Sequence, residues 1–451
     1  MKNKLFLKVV CLVITCMMVL GLAACGSTVT TATTATATTV AATTVAAQPV
    51  SLKFFSVVPD RTAREGKLET MLIDQYMNEN PNVKIEVEAL QDEQYKTKFK
   101  AYSASNSLPD VMFTWNQPSF LTPAVKAGLI QELNPKDYES YNFVSGANNG
   151  YMIDGKLYGL SSAAYIVGMF YNKALFDKAG VTYPTKFSDL IAASKALRAK
   201  GIIPCAVAGK DKWPVSMLLN DIWLKEAGNQ QVIYDAVNQK TKFAADTSIV
   251  EGAKQFKALM DTKFFQDSFT SADYGAAQNL FTQEKAAMYY MGSWDMSMAS
   301  NDKLSDTFKK NLVFAKFPAM DGGKGKDTDL EGWCASGYSV AANSKVKDEA
   351  VKFLNYMMKP DNWAKIGWQQ NLIMPAQKFD AYKTGKENAI QNNISEIFAS
   401  ATSISGSPYN DSGDPAFKTA AESGVQLYAA GLATLEKALD DLDTAAAKIQ
   451  K

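Results

Sequence analysis

Apolar and polar positions follow two rhythms along this chain. Val50 to Val58 is an apolar-rich run of the kind a buried strand carries, and Leu68, Met71, Leu72 and Tyr76 then recur at helical spacing. After Asn80-Pro81-Asn82, the stretch Val83-Lys84-Ile85-Glu86-Val87-Glu88 alternates strictly, as a half-buried strand does. Strand, helix and strand in this order form a parallel crossover unit. The pattern predicts a further helix near Glu93 to Ala104, a strand at Val111 to Phe113 after Pro109-Asp110, and a helix near Pro118 to Ala127. The expected architecture is an open α/β sheet with its ligand crevice at the C-terminal ends of the strands.

A second region opens with the strand-like run Tyr165 to Tyr171, followed by the stripe Phe187, Leu190, Ile191 and Ser194 behind Pro184-Thr185. Ser248-Ile249-Val250-Glu251 fits a capping box leading into Phe256, Leu259 and Met260. Ala286 to Met291 reads as a strand, and helical sections follow around Ala350 to Met358 and from about Ala416 to Ile449.

The N-terminus breaks from this pattern. Lys2, Lys4 and Lys8 precede an apolar stretch from Val9 to Leu22, and then comes Leu22-Ala23-Ala24-Cys25-Gly26, the layout of an export signal. Cys25 after two small residues resembles the bacterial lipobox, whose thiol is diacylated before cleavage; residues 1–24 are then a lipoprotein signal peptide. The competing reading is a membrane-spanning anchor, which needs about 20 apolar residues. Residues 25–49 are rich in Thr, Ala and Val without charge or aromatic rings, too little apolar surface to offset ordering entropy, and read as a disordered tether. Two acyl chains on Cys25 would hold the body at the extracytoplasmic face of the cell membrane without crossing it.

Composition narrows the chemistry. The 451 residues carry 47 Lys plus Arg against 46 Asp plus Glu, so there is no basic excess to hold a polyanion, and nucleic acid is not an expected partner. Loss of the signal leaves 44 basic residues against 46 acidic ones, net −2. The sequence has no histidine, which excludes Ser-His-Asp and Cys-His catalysis and His-ligated zinc. Cys205 and Cys334 are the thiols left after processing; they suit buried fillers or a single bridge, not a metal cage. No cofactor and no metal is expected.

Several segments in order resemble a family: Asn80-Pro81-Asn82-Val83-Lys84-Ile85, Leu108-Pro109-Asp110-Val111, Asp154-Gly155-Lys156-Leu157-Tyr158-Gly159-Leu160, Tyr171-Asn172-Lys173-Ala174-Leu175-Phe176, and Lys285-Ala286-Ala287-Met288 with Gly292-Ser293-Trp294. From about Leu52 to Lys451 the chain is similar to the extracellular solute-binding proteins of ABC importers, in the sugar-binding group that includes maltose-binding protein. The resemblance implies an α/β, two-lobed periplasmic-binding-protein-like fold of class II type with a hinged interlobe cleft. Residues 50–162 plus 336–375 would form the N-terminal lobe and 163–335 plus 376–451 the other, with crossings near Leu160 to Ala164, Trp333 to Tyr338 and Leu372 to Gln377. It implies a monomer that is not an enzyme, partnered by a small carbohydrate and the transmembrane subunits of an ABC permease. Gram-positive members of the family are held on the membrane as lipoproteins, which fits Cys25.

A neutral sugar presents hydroxyls at its edge and C–H patches on its faces, so its site needs flat aromatic platforms and charged or amide hydrogen-bond partners. Trp223 sits with Leu218, Leu219 and Ile222 at helical spacing, Trp363 sits similarly with Ile366, and both read as core, with Trp368 undecided. Trp115 with its neighbour Asn116, Trp213, Trp294 and Trp333 lie at expected strand ends or loops, where ligand contacts gather. The family places sugar-stacking aromatics where Trp115 and Trp294 fall; packing within a lobe is the alternative. Asp60, Asp295 and Asp411 are the candidate hydroxyl-binding acids, with turn or N-cap duty as the alternative. Glu65 and Tyr165 are weaker candidates, and Glu65 also suits a helix start.

The leading functional reading is capture of a mono- or oligosaccharide for import. Another organic solute such as glycerol phosphate would need convergent cations, for which Arg61 and Arg64 beside the expected cleft are available. A surface glycosidase could use two carboxylates, Asp60 and Asp295, without histidine. A tethered cell-wall adhesin is a further alternative.

Overall fold

The computed structural model describes residues 48–334 and 336–449. The expected signal peptide, the lipidation site Cys25 and the tether up to residue 47 lie outside the described residues. Among the described residues no helix is long and apolar enough to cross a membrane.

The first crossover is built as the hydrophobic rhythm predicts. Strand β1 (Val50–Ser56) leads through the Arg64–Glu79 helix to β2 (Val83–Ala89), and the Asp92–Ala104 helix leads on to β3 (Val111–Trp115). Both β2 and β3 lie parallel to β1. The strict alternation in β2 buries Val83 and Ile85, while Val87 at the far end of this edge strand is 42% exposed. A small hairpin of β4 (Met152–Ile153) and β5 (Lys156–Leu157) precedes β6 (Leu160–Ser161).

The second sheet starts with β7 (Tyr165–Asn172), buried along nearly its whole length, as the continuous apolar run requires. It is joined by β8 (Ile203–Ala206), β9 (Ala286–Gly292), β10 (Leu312–Ala315) and β11 (Asp329–Trp333). The chain then returns to the first sheet as β12 (Ser336–Val340), and β13 (Ser403–Ser405) later adds to the second. The sheet orders are β2-β1-β3-β12-β6 and β13-β11-β7-β9-β8, with β10 also paired to β7. Both sheets are mixed: β12 runs antiparallel to β3 and β6, and β7 antiparallel to β9, β10 and β11. These antiparallel insertions join segments far apart in sequence, so local periodicity carries no trace of them.

The chain passes between the sheets from β6 to β7 and from β11 to β12, and a third segment lies alongside the first, with Ala163 bridged to Pro375 and the Ala164 N–H donating to Met374 O at 2.9 Å. Trp363 ties this seam from below, donating its indole N–H to Ser162 O at 2.7 Å. Trp223, Trp363 and Trp368 are all fully buried, as core residues at helical spacing should be.

Three local expectations are corrected. The section from Ala416 to Ile449 is two helices, Pro415–Ala429 and Leu435–Ala446, parted by Gly431 in the left-handed region (φ 71°) and restarted by a Thr434 cap. Asp246, not Ser248, caps the Thr247–Met260 helix, accepting from the N–H groups of Ser248 and Ile249, and the capping box is absent. The helix after β3 covers only Leu121–Lys126. Cys205 and Cys334 are both free, so there is no bridge between them. Burial pushes the two thiols up, to about 12 and about 11.

Candidate solute-binding cleft

A cavity of about 890 Å³ draws its walls from both sheets. From the first come Val57, Val58 and Asp60 after β1, Phe113 and Trp115 of β3, and Ser336 of β12; from the second come Tyr165 of β7 and Glu331 and Trp333 of β11. Helices complete it, chiefly Trp213–Ala227 and Tyr274–Thr282.

Aromatic rings dominate one wall. Trp294 is the hub: its ring lies 6.1 Å from that of Trp213, 6.0 Å from Trp333 and 5.4 Å from Tyr165, the last edge-on. Trp294 is itself buried, at 8% exposure, and packs over Gly292, where a Cβ would stand 2.0 Å from the indole. Trp213 and Trp333 are half-buried and flank it. Half-buried Trp115 of β3 also lines the cavity and is braced edge-on by Phe113, Phe120 and Tyr95, with Lys96 Nζ 5.1 Å from its centroid.

A polar relay runs behind the rings. Arg64, in the left-handed region (φ 51°) at the start of its helix, donates through Nη1 to Tyr274 Oη at 3.0 Å and pairs with Glu65 (3.3 Å) and Asp295 (3.5 Å). Tyr274 donates to Asp295 at 2.6 Å, Tyr165 donates to Glu65 at 2.6 Å, and Ser336 donates to Tyr165 at 3.1 Å. Burial raises the Asp295 pKa, with the Arg64 guanidinium acting in the opposite direction. At the rim, burial works against charge on Asp60, yet the hydroxyl and N–H of Thr62, with Lys303, outweigh it and hold this carboxyl below its ordinary range.

The structure thus brings Asp60, Glu65, Trp115, Tyr165, Trp213, Trp294 and Trp333 to one cavity. Three candidates are elsewhere. Asp295 does not line the cavity: it is fully buried and engaged by Tyr274 and Arg64. Asn116 lies past the end of β3 and points away, donating to Cys334 O at 2.7 Å. Asp411 accepts from Tyr234 Oη at 2.5 Å. Asn116 and Asp411 line a second cavity of about 600 Å³, which shares Gln117, Trp333 and Ser407 with the first. The miss at Asn116 has a tertiary cause: its amide is taken up by the Cys334 carbonyl, 218 residues away in sequence, a contact that no local pattern carries.

Sequence reasoning overlooked a polar face on the helix behind Trp213. Trp213, Ser216 and Asn220 follow i, i+3, i+7 spacing, a legible signal because the residues between them, from Pro214 to Leu219, are otherwise apolar and buried. It also passed over Glu331, a buried acid flanked by Leu330 and Gly332 in β11.

Residues 60–362 match the model of the bacterial extracellular solute-binding protein family. The chain belongs to this family. It is 26% identical over 314 residues to the multiple sugar-binding protein of Streptococcus mutans serotype c, covering 68% of this chain and 71% of that protein. The galactooligosaccharide-binding protein of Bacillus subtilis strain 168 is 26% identical over 265 residues, 56% of this chain and 58% of its own. A structure from work on xylan utilization by Caldanaerobius polysaccharolyticus superimposes with a TM-score of 0.79 at 29% identity, covering 87% of this chain and 99% of that one. A chitin oligosaccharide binding protein gives 0.77 at 24% identity, with coverages of 89% and 99%. The chain shares the two-lobed, periplasmic-binding-protein-like α/β fold of these solved structures.

Proposed function

We propose that this solute-binding protein is the capture subunit of an ABC importer, anchored through diacylated Cys25, which takes a mono- or oligosaccharide into the cleft and passes it unchanged to the permease. The lobes would be residues 50–162 plus 336–375 and residues 163–335 plus 376–451, closing about the strands of chain that run between the sheets. The observation that carries the reading is the indole wall, in which the neighbouring rings of Trp213, Trp294 and Trp333 line one cavity together with Trp115 of β3. Flat rings suit the C–H faces of pyranose units, and two relatives named for sugars, the multiple sugar-binding protein and the galactooligosaccharide-binding protein, point the same way.

The alternatives fare worse. Arg64 is the guanidinium at the cavity, but Glu65 and Asp295 already compensate it, which leaves little for a phosphate; Arg61 is paired with Glu69. A glycosidase built on Asp60 and Asp295 would need both carboxyls facing the solute, and Asp295 is sealed behind the rings.

A thermal-shift screen against a carbohydrate panel tests the reading, because a ligand that binds only the folded state raises the melting temperature by mass action. A sugar that raises Tm and is recovered intact supports it. Absence of any shift, or conversion of the sugar to product, overturns it.

A further inference from the structure

Apart from Arg64 Nε and Glu65 Oε2, which face each other as an ion pair at 3.3 Å, five buried polar atoms on residues that border the large cavity have no hydrogen-bond partner: Trp213 Nε1, Ser216 Oγ, Asn220 Oδ1, Glu331 Oε2 and Tyr409 Oη. The side chains of Ser216 and Asn220 come from residues only 2% exposed, and Glu331 and Tyr409 from residues 1% exposed. Buried polar groups are normally satisfied, so five unmet ones around a single space call for a partner that enters it. Three sit on one face of the Trp213–Ala227 helix, and β11, which carries Glu331, packs against that helix.

Resting on the carbohydrate reading above, we propose that Ser216, Asn220, Glu331 and Tyr409, with the Trp213 indole N–H, form a specificity subsite that grips an uncharged, hydroxyl-bearing sugar unit and rejects anionic ones.

The donor and acceptor inventory supports this. Asn220 Oδ1 only accepts and Trp213 Nε1 only donates, while Ser216 and Tyr409 can do either. A sugar hydroxyl both donates and accepts, so a set of them can satisfy every member; a phosphate or carboxylate cannot donate to Asn220. The charge around Glu331 acts in the same direction. Burial holds its pKa well above the ordinary range, Asp221 and Asp411 add to this, and Lys225 opposes. Tyr234 and Tyr290 complete the titratable groups that sense this acid. A protonated Glu331 would donate to a sugar oxygen, whereas an ionised Glu331 would repel an incoming anion, so neither state favours an anionic unit.

The test uses the purified protein with xylotriose, diacetylchitobiose and raffinose as neutral probes and with glucuronate, galacturonate and glucose 6-phosphate as anionic ones, followed by calorimetry on any binder. The expected result is that only neutral probes bind. Ser216→Ala and Asn220→Leu should each weaken the best neutral probe by about tenfold or more, while the unliganded melting temperature of Asn220→Leu stays equal or rises, because an unmet buried acceptor has been removed. Glu331→Gln, which keeps a neutral donor, should bind within a few fold of the parent. A merely structural role for these residues would lower the unliganded melting temperature and leave the affinity of the folded fraction unchanged. That outcome, or preferential binding of an anionic probe, overturns the subsite and leaves carbohydrate capture standing. Binding of no probe overturns both.

Discussion

Arg64 and Asp295 meet as an ion pair, Nη1 to Oδ1 at 3.5 Å, joining the helix that follows β1 in the first sheet to the turn that follows β9 in the second. The Arg64 backbone N–H donates to Ser297 Oγ at 3.2 Å in the same place, so one residue is tied to the opposite side by both its main chain and its side chain. Asp295 is fully buried there. Substitution Arg64→Met should therefore leave an uncompensated buried carboxylate and cost about 3 kcal/mol in urea denaturation. The double variant Arg64→Met with Asp295→Asn should recover part of this loss; a double variant as unstable as the sum of the singles would mean that the pair does not couple.

The indoles should separate into two kinds. Trp294, the buried hub, should cost about 3 to 5 kcal/mol as Trp294→Ala, measured by chemical denaturation. Trp333→Ala and Trp115→Ala remove half-buried rings and should change stability less while abolishing most of the Tm shift given by a bound sugar. A full ligand shift in the double variant Trp115→Ala with Trp333→Ala would show that these rings are not platforms.

Gly292 is a spacing element for that hub. A methyl group there would overlap the Trp294 ring at 2.0 Å, so Gly292→Ala should displace the indole and cost about 1 to 3 kcal/mol. Intrinsic tryptophan fluorescence should shift along with stability, and an unchanged emission spectrum at unchanged stability would contradict the packing described.

Acid dependence should report on Asp211. This carboxylate accepts from the Tyr274 N–H at 2.8 Å, and burial, reinforced by Asp92, Glu93 and Asp273, pushes its pKa up to about 6. The folded protein then binds the proton more tightly than the unfolded chain, so this group's contribution to stability falls as pH rises from about 4 to about 6 and stays low above that. Asp211→Asn keeps the acceptor without the charge. The variant should match the parent near pH 4 and exceed it at pH 7, as read by urea midpoints at each pH; parallel pH profiles for the two proteins would rule the idea out.

Much of the first sheet is legible in the residues themselves. The alternation of Val83 to Glu88 and the helical stripe of Leu68, Met71, Leu72 and Tyr76 are consequences of short-range geometry, and the structure buries Val83, Ile85, Leu68, Leu72 and Tyr76 as read, whereas Met71 and Val87 are exposed. The misplaced site residues have equally physical causes. Asp295 adjoins Trp294 in sequence, but a turn sends neighbours in different directions, and its partner Arg64 is remote in sequence. Ser216 and Asn220 were passed over because a polar residue on a buried helix acquires meaning only when the space beside it is known to be open.

The sequence by itself determined the strand and helix rhythm of the body, the burial of Trp223 and Trp363, the lack of histidine chemistry and the aromatic supply from which a sugar platform can be made. Only the tertiary structure decided that β12 crosses back into the first sheet, that Trp213, Trp294 and Trp333 share a wall, and that five buried polar atoms are left without partners beside it. The reason is range: periodicity and capping act over a few residues, whereas cavities and ion pairs arise from contacts between segments that the chain brings together only when both sheets have formed.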